Sequence, residues 1–377
     1  MKKLAIIGAS YLQAPLIETA KAMGLETHVF AWAANDVGEK IADYFYPISI
    51  VEKEEILNKC QEIGIDGICS IASDLAIITV NYVAQKMGLP SNDMKATLVS
   101  TNKHEMRKCF ENNGDPSPKS KIVSSIEDID VNEWTLPLIV KPLDRSGSRG
   151  ITKINDFSSL SLAIEEAKKV GFDKHALVEE FIEGDEYSVE YLSDCGTHHF
   201  LTITKKYTTG APNFIETAHI EPSDLSEEMI TQVKLVVEHA LNSLGLKYGA
   251  SHSEVKINND KIKIVEIGGR MGGDFIGSDL VKLSTGFDFV REVINVAIGV
   301  KSKLDYPRLN KCAAVRFIFN QHDLDVLELI KKEAPEIIVN YKYYGNLTCE
   351  VTDSSNRHGY YLLCSDDRDI VKKYIEM

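Results

Sequence analysis

The amino-acid sequence predicts an α/β protein that begins with a doubly wound parallel sheet. Within the first hundred residues, apolar strand-like runs such as 3–10 and 65–72 alternate with segments of helical spacing such as 13–24. Strand–helix alternation of this kind is typical of a parallel sheet that carries helices on both faces. The chain has 377 residues, which is too long for one ordinary hydrophobic core and favours two or three domains.

Changes in composition along the chain indicate where domains meet. Proline, serine, asparagine and glycine cluster on both sides of a helical segment within residues 89–120, and strand-like runs become more frequent beyond it. Residues 226–244 predict a long amphipathic helix, and strand-like runs with short helices between them fill the tail. We therefore predict an N-terminal domain over 1–100, an α+β region over 101–304 and a small C-terminal α+β domain over 305–377.

Charge and composition exclude some classes of partner. The net charge of -14 disfavours nucleic acid, because phosphate backbones recruit basic surfaces. No stretch of about 18 apolar residues predicts a membrane span, and the first apolar run is too short for a signal peptide. Seven cysteines are scattered without a Cys-x-x-Cys pair, as expected for free thiols in a reducing compartment. We expect a cytoplasmic protein that acts on small molecules, with a homodimer as the default assembly.

The first strand–turn–helix unit invites comparison with a dinucleotide site. Its turn begins at Gly8 but lacks the second and third glycines of the GxGxxG fingerprint. A nicotinamide-dependent dehydrogenase is therefore disfavoured. The start of the following helix can still receive a small anion or a substrate group.

A loop of glycines and serines follows the predicted strand "LPLIVK". The strand delivers Lys141, and the loop then contains Ser146, Gly147, Ser148 and Gly150. Glycines and small hydroxyl residues allow backbone N–H groups to approach a phosphate closely, and a lysine adds a point charge. The alternative interpretation is a polar hairpin loop, and the missing Gly-Lys-Ser/Thr sequence excludes a Walker loop.

Carboxylates cluster on the next two predicted strands, within residues 177–192. Glu179 follows an apolar run directly, and Glu186 opens the second strand. A purine needs an acceptor for its exocyclic amine and a backbone donor for its ring nitrogen, while a ribose needs an acceptor for its hydroxyls. A strand-to-turn hinge offers these groups, although a surface hairpin with incidental acids would share the pattern.

Two further glutamates, Glu254 and Glu266, lie on either side of the turn sequence Asn258-Asn259-Asp260. A two-residue turn would place them on opposite faces of the hairpin, whereas a three-residue loop would pair them on one face. Two facing carboxylates repel each other unless a cation lies between them. Hard oxygen ligands on adjacent strands are suited to Mg²⁺ that bridges nucleotide phosphates, and a surface hairpin is the alternative.

Considered together, these features resemble the ATP-grasp superfamily, most closely its carbamoyl-phosphate-synthase-like and L-amino-acid-ligase members. They comprise Lys103 on a helix, Lys141 with its glycine loop, the glutamate-rich hinge, and the paired glutamates followed by an arginine. The resemblance covers residues 1 to about 300. It implies a two-lobed α+β ATP-grasp module over 101–304, with a small lobe at about 118–182 and a large lobe in the remainder.

The resemblance also implies roles for individual residues in binding ATP. The two lysines and the glycine loop would hold phosphates. Glu179, with the backbone of Glu180 and Ile182, would read adenine, and Glu186 would bind the ribose. The implied nucleotide-binding set is Lys103, Lys141, Ser146, Gly147, Ser148, Gly150, Glu179, Glu180, Ile182 and Glu186.

Glu254 and Glu266 would hold Mg²⁺, or Mn²⁺ in its place. Many family members carry an asparagine two residues after the second metal glutamate, where this chain has Gly268, so the number of bound metal ions stays open. In amino-acid ligases a Glu-x-x-His segment and an arginine lie at the reaction centre. The matching candidates here are Glu216, His219 and Arg270.

The function implied is that of an ADP-forming, Mg²⁺-dependent ligase that joins a carboxylate to an amine through an acyl phosphate. An amino acid or a related small carboxylate is the expected substrate. Two alternatives remain from the same sequence: an enzyme that activates bicarbonate, and a non-catalytic regulator that binds nucleotide.

Overall fold

A computed structural model describes residues 1–143, 150–211, 213–345 and 347–377 of the chain. The predicted phosphate-loop residues Ser146, Gly147 and Ser148 lie outside the described residues. The N-terminal region contains the strands β1 Lys3–Ile7, β2 Glu26–Phe30, β3 Tyr44–Tyr46 and β4 Gly67–Cys69. Its helices are α1 Ala14–Ala22, α2 Val37–Ile41, α3 Lys53–Ile63, α4 Asp74–Met87 and α5 Met94–Thr101.

The small lobe follows. It consists of β5 Ser120–Val123, β6 Leu138–Pro142, β7 Thr152–Ile154, α7 Leu160–Val170 and β8 Ala176–Glu180, and α6 Lys103–Asn113 precedes it in the chain. The large lobe contains β9 Asp185–Asp194, β10 Thr197–Thr208, β11 Glu216–Glu221, α8 Glu227–Leu244, β12 Gly249–Asn258, β13 Lys261–Gly268, α9 Val281–Thr285 and α10 Phe289–Ala297. The remainder is β14 Cys312–Phe317, α11 Gln321–Glu333, β15 Ile338–Tyr343, β16 Gly359–Ser365 and α12 Arg368–Glu376.

Short helical turns lie between these elements. Turns of 3₁₀ helix span Ile126–Asp128, Val131–Glu133, Phe157–Ser159, Pro335–Ile337 and Ser354–Asn356, and a π-helical turn spans Ile276–Leu280. Among the described residues, none of the helices combines the length and the apolar character needed to cross a membrane.

The N-terminal sheet is parallel in the order β3-β2-β1-β4, and helices cover both of its faces. On one face α3 and α4 bury residues such as Ile56 and Val80 against the strands. On the other face α1 packs together with α10, a helix that comes from the large lobe more than 250 residues later. The predicted doubly wound domain is therefore confirmed, and the large lobe supplies part of its cover.

Two antiparallel sheets follow the parallel one in the described part of the chain. The small lobe has the order β5-β8-β6-β7, and the large sheet has the order β13-β12-β9-β10-β11-β14-β16-β15. Because β14 pairs with β11, the C-terminal strands extend the sheet of the large lobe. They also form a core of their own with α11 and α12, built around residues such as Ile330 and Tyr374. The predicted fold class is confirmed, whereas the domain boundary near residue 304 stays a prediction.

Glu221, the last residue of β11, is a buried acid with a testable effect on stability. Its Oε2 accepts a hydrogen bond from Thr204 Oγ1 at 2.8 Å, and its Oε1 accepts one from Ser284 Oγ at 2.6 Å. Burial raises the pKa of the Glu221 carboxyl from 4.5 to about 8. Its contribution to folding is therefore complete below about pH 4.5 and is lost as the pH rises through about 8.

We expect Glu221→Gln to remove this pH-dependent loss, since a neutral amide keeps both hydrogen-bond partners. The free energy of unfolding of the variant relative to wild type should increase by about 2–3 kcal/mol between about pH 4.5 and about pH 7. Urea unfolding at several pH values measures it. Glu18→Gln, at an exposed site on α1, is the control, and parallel pH profiles of wild type and Glu221→Gln would contradict the prediction.

Candidate active site

A continuous cleft runs between the N-terminal domain, the two lobes and the C-terminal segment. Its larger part is a cavity of about 760 Å³, and its smaller part, of about 160 Å³, lies beside the small lobe. Both parts are lined by Lys103, Glu216, Glu254 and Glu266, which makes them one cleft. The predicted candidates among the described residues thus lie on or next to a shared surface, with Gly150 as an exception.

The hairpin of β12 and β13 brings Glu254 and Glu266 directly opposite each other. The turn itself has two residues, Asn259 and Asp260, with φ of 45° and 64°. Regular pairing continues from this turn until a β-bulge at Val265 shifts the register by one residue. The expected pairing of the glutamates is confirmed, but the bulge produces it instead of the three-residue loop considered above.

Lys206 on β10 supplies a cation beside Glu254, between that carboxylate and those of Glu186 and Glu216, and the sequence did not single it out. Its buried Nζ lies 2.5 Å from Glu254 Oε1, 3.0 Å from Glu186 Oε1 and 3.8 Å from Glu216 Oε1. Burial by itself lowers the pKa of Lys206, but the three carboxylates, Glu254 first, raise it well above its ordinary value. The strand sequence "TITKKYTT" contained a signal, because alternation turns one of two adjacent lysines inward.

The two predicted phosphate lysines approach the cleft from different elements. Lys103 opens α6, and its Nζ lies 3.3 Å from Glu266 Oε2. Lys141 on β6 forms a buried ion pair with Glu179. Burial lowers the pKa of Lys141, and the Glu179 carboxylate opposes that effect. Gly150, at the start of the described segment after the loop, has φ of 74° and packs against Pro142 instead of lining the cleft.

The smaller part of the cleft has an apolar wall at the hinge between the lobes. Ile139, Ile151, Phe181, Ile182 and Phe214 line it. Glu180 and Glu186 lie at its edge, and Glu186 Oε2 is 3.7 Å from Lys256 Nζ. Apolar side chains beside the end of β8 and the start of β9 suit a flat ring with polar edges, because backbone groups there can bond to those edges.

At the opposite end of the cleft, a loop of the C-terminal segment contacts the predicted Glu216 directly and is linked to the predicted His219 through Asp274. Ser354 Oγ donates to Glu216 Oε2 at 3.0 Å. Arg357 Nη2 donates to Asp274 Oδ2 at 2.6 Å and lies 3.7 Å from Glu216 Oε2. His219 Nε2 is 4.0 Å from Asp274 Oδ2. The C-terminal segment therefore takes part in building the cleft.

His219 is an uncharged base in this environment. Burial lowers the pKa of its imidazole, although Asp274 partly opposes the shift. Its Nδ1 is buried, and among the described residues it has no hydrogen-bond partner. An imidazole held in this way can accept a proton or a hydrogen bond from a bound ligand.

Arg270, just after β13, forms a two-point ion pair with Asp74 at the start of α4. Nε and Nη2 donate to the two carboxylate oxygens at 2.8 and 3.0 Å. Asp74 was not predicted, although it lies beyond the carboxyl end of β4, the edge of a parallel sheet at which ligands usually bind. Gly268 makes room for this pair, since a Cβ there would lie 2.8 Å from Asp74 Oδ1.

A buried ion pair of Glu190 and His252 lies next to Glu254. His252 Nδ1 contacts Glu190, and its Nε2 lies 3.6 Å from Glu254 Oε1. Burial alone would lower the pKa of His252, but Glu190 raises it to about 9. The imidazole therefore carries a positive charge at neutral pH and adds to the cationic groups around the glutamates.

Fold and cleft together define a class of protein in which two α+β lobes enclose a charged cleft behind a parallel-sheet domain. Residues 134–279 match the family described as the ATP-grasp domain. The chain thus contains an ATP-grasp domain, and the resemblance identified in its sequence is confirmed.

Amino-acid ligases are among its relatives. The chain is 28% identical to alanine–anticapsin ligase of Bacillus subtilis (strain 168) over 272 residues, which are 63% of this chain and 58% of that relative. It is 23% identical to carnosine synthase 1 of Homo sapiens over 335 residues, 80% of this chain and 40% of that protein. The chain therefore spans less than two thirds of the length of these curated relatives.

Solved structures share the same fold. The crystal structure of an L-amino acid ligase from Bacillus licheniformis matches with a TM-score of 0.84 at 23% sequence identity, covering 100% of this chain and 96% of that one. A phosphoribosylglycinamide synthetase from Anaerococcus prevotii matches with a TM-score of 0.77 at 20% identity, covering 100% and 97%. At these identities the likeness establishes the fold alone.

Proposed function

We propose that the protein is an ATP- and Mg²⁺-dependent ligase that joins a small carboxylate to an amine and releases ADP and phosphate. The observation that carries this proposal is the continuity of the cleft. It connects the lysines at 103 and 141, the facing carboxylates Glu254 and Glu266, and the groups around Arg270 in one space. Each part corresponds to one requirement of transfer from ATP to a carboxylate.

The smaller part of the cleft would hold the adenine end of ATP. Adenine would lie against the apolar wall and bond to the backbone at Glu180 and Ile182, with Glu186 at the ribose. Lys103 and Lys141 would contact phosphates. Glu179 was predicted to read adenine, yet both of its oxygens contact cations, which favours a role in holding Lys141.

A magnesium ion fits at Glu254 and Glu266, because these facing carboxylates already attract cations, the ammonium of Lys206 at Glu254 and that of Lys103 at Glu266. The described residues contain no cluster of three or more metal-ligating side chains, so phosphate oxygens and water would supply the remaining ligands. Mn²⁺ would fit the same oxygens. When bound, the ion neutralises charge that develops on the transferred phosphoryl group.

The groups in the larger part of the cleft indicate the reaction. A carboxylate oxygen attacks the γ-phosphorus of ATP, which gives an acyl phosphate and ADP, and an amine then displaces phosphate to form an amide. Arg270 would hold the carboxylate or the acyl phosphate, and Lys206 would offset charge on the transferred group. His219, uncharged and with Nδ1 without a partner in the described chain, would accept the proton that the substrate ammonium must lose before its amine can attack.

The size of the cavity and the relatives favour an amino acid as substrate. The larger part of the cleft, about 760 Å³, exceeds what bicarbonate needs and has apolar walls at Leu12, Leu75 and Ile78. Alanine–anticapsin ligase and an L-amino acid ligase are among the similar proteins. Bicarbonate activation is retained as the second candidate, because biotin carboxylase of Campylobacter jejuni shares the fold at a TM-score of 0.74.

Release of ADP tests the proposal. The protein is incubated with ATP and Mg²⁺ and with single or paired amino acids, and separately with bicarbonate. ADP formation that requires an amino acid, with a matching amide product in the mass spectrum, is the expected result. ADP formation with bicarbonate alone would favour the second candidate, and ATP binding without turnover under every condition would indicate a regulator.

The Asp74–Arg270 pair provides a specific prediction. We expect Gly268→Ala to lower turnover about tenfold and to leave ATP affinity unchanged, because the new Cβ displaces the Asp74 side chain from Arg270. Gly273→Ala is the matched control in the same loop, since a Cβ there would meet Ala72 Cβ at an ordinary 3.6 Å. Equal turnover of the two variants would contradict the role of the pair.

A further inference from the structure

Arg107, on α6, contacts both lobes at once. Its Nε donates to Glu179 Oε1 on β8 of the small lobe at 2.7 Å. Its Nη2 donates to the carbonyl oxygen of Val265 on β13 of the large lobe at 2.5 Å. The side chain is 3% exposed, and it lines the smaller part of the cleft. A buried guanidinium with partners on two lobes links their relative positions.

The contact with Val265 bears on the metal site. Regular pairing from the two-residue turn would place Val265 opposite Glu254 and turn Glu266 to the other face of the hairpin. The bulge at Val265 prevents this, and a bulged residue loses its regular partner in the ladder. Its partly buried carbonyl oxygen accepts a hydrogen bond from Arg107 instead. The guanidinium therefore stabilises the register in which the two glutamates face each other.

The contact with Glu179 bears on the phosphate lysine. The Glu179 carboxylate is almost fully buried and contacts Arg107 through one oxygen and Lys141 through the other. Two cations share one anion, so the loss of Arg107 leaves Lys141 as the charged partner of Glu179. The ion pair that holds the Lys141 side chain then changes. Arg107 Nη1 is also buried, and among the described residues it has no acceptor.

We propose that Arg107 is a positioning residue. Through its two contacts it fixes the position of Glu266 on the large lobe relative to that of Lys141 on the small lobe. This inference rests on the proposed function, which assigns Glu266 to the metal ion and Lys141 to a phosphate. Arg107 acts by holding the Val265 carbonyl and the Glu179 carboxylate in place.

Arg107→Lys and Arg107→Met separate the two contacts. A lysine keeps a positive charge near Glu179, but its single ammonium lacks the fork that reaches both partners. We expect Arg107→Lys to weaken Mn²⁺ binding to the ADP complex about tenfold and to change metal-free ADP affinity less than about threefold. Arg107→Met should weaken both about tenfold or more. The control is Lys108→Met, the exposed neighbour that contacts Glu105 on the same helix.

Three measurements decide the outcome on the full chain. Electron paramagnetic resonance measures Mn²⁺ binding with ADP present, and calorimetry measures ADP binding in a chelator. Hydrogen exchange measures protection of β13, with α8 as the internal reference. In both Arg107 variants we expect β13 to exchange about tenfold faster, and α8 to exchange as in wild type.

If Arg107→Lys bound Mn²⁺ as tightly as wild type and its β13 exchanged at the wild-type rate, the claim that Arg107 stabilises the bulge at Val265 would be overturned. Equal acceleration of β13 and α8 would also overturn it, because it would indicate general destabilisation. If wild-type protein binds neither ADP nor Mn²⁺, the proposed function fails. Hydrogen exchange of β13 still decides whether Arg107 stabilises the bulge at Val265. If Arg107→Met does not fold, Arg107→Lys alone decides the outcome, through its Mn²⁺ affinity and the exchange of β13.

Discussion

Replacing Glu254 or Glu266 by glutamine is expected to reduce amino-acid-dependent ADP release by roughly a thousandfold, equivalent to about 4 kcal/mol. An amide keeps the size of the side chain but removes the charge on which a divalent cation depends. The two carboxylates face each other across β12 and β13, so the loss of either one leaves the cation with half of its charged protein ligands. Steady-state kinetics over a range of Mg²⁺ concentrations measures the effect.

Asp260→Asn is the matched control for these two variants. It removes a carboxylate at the exposed tip of the same hairpin, where φ is 64° and asparagine is well tolerated. We expect its activity to remain close to wild type. Turnover of Glu254→Gln or Glu266→Gln within about threefold of Asp260→Asn would remove the metal site from the proposal.

The second large effect concerns Lys206, whose removal should destabilise the folded protein when no metal is present. Lys206→Met leaves Glu186, Glu216 and Glu254 near one another without the ammonium that neutralises them. Breaking a fully buried ion pair costs about 3–5 kcal/mol, and we expect about 2–3 kcal/mol here because the glutamates are roughly one-fifth exposed. Denaturant unfolding in a chelator measures the loss.

Addition of Mg²⁺ should restore much of this stability, because a divalent cation replaces the missing charge between the carboxylates. Lys205→Met is the control: its side chain lies on the other face of β10 and pairs with Asp185 at 3.4 Å. Such partly exposed pairs contribute little, so we expect less than about 1 kcal/mol. A Lys206→Met protein that is as stable as Lys205→Met, with no response to Mg²⁺, would contradict the interpretation of this cluster.

Local periodicity explains why so much of the fold was predictable. Alternation of strands and helices identified the N-terminal parallel sheet, and turn residues located the β12–β13 hairpin. Motif order led to Lys103, Glu216 and His219, which the fold brings to one cleft. The pairing of the glutamates was correct, although the bulge at Val265 that causes it leaves no pattern in the sequence.

Residues that act through distant partners escaped prediction. Arg107, Lys206 and Arg357 are charged residues on elements whose sequence is otherwise unremarkable, and their partners lie between 10 and 158 positions away. Asp74 reaches Arg270 from another domain, 196 positions earlier. Spacing along the chain carries no information on such encounters, because they depend on how the sheets and helices pack.

The amino-acid sequence alone determined the order of elements, the strand that delivers Lys141 and the carboxylates of the hairpin, since these depend on backbone periodicity and on neighbours close in the chain. The tertiary structure decided which charges neutralise one another: Lys206 among three glutamates, Arg107 between the lobes, and Asp74 against Arg270. The physical reason is that a charge in the interior must meet an opposite charge or a hydrogen-bond partner. Packing of separate elements selects that partner from the whole chain.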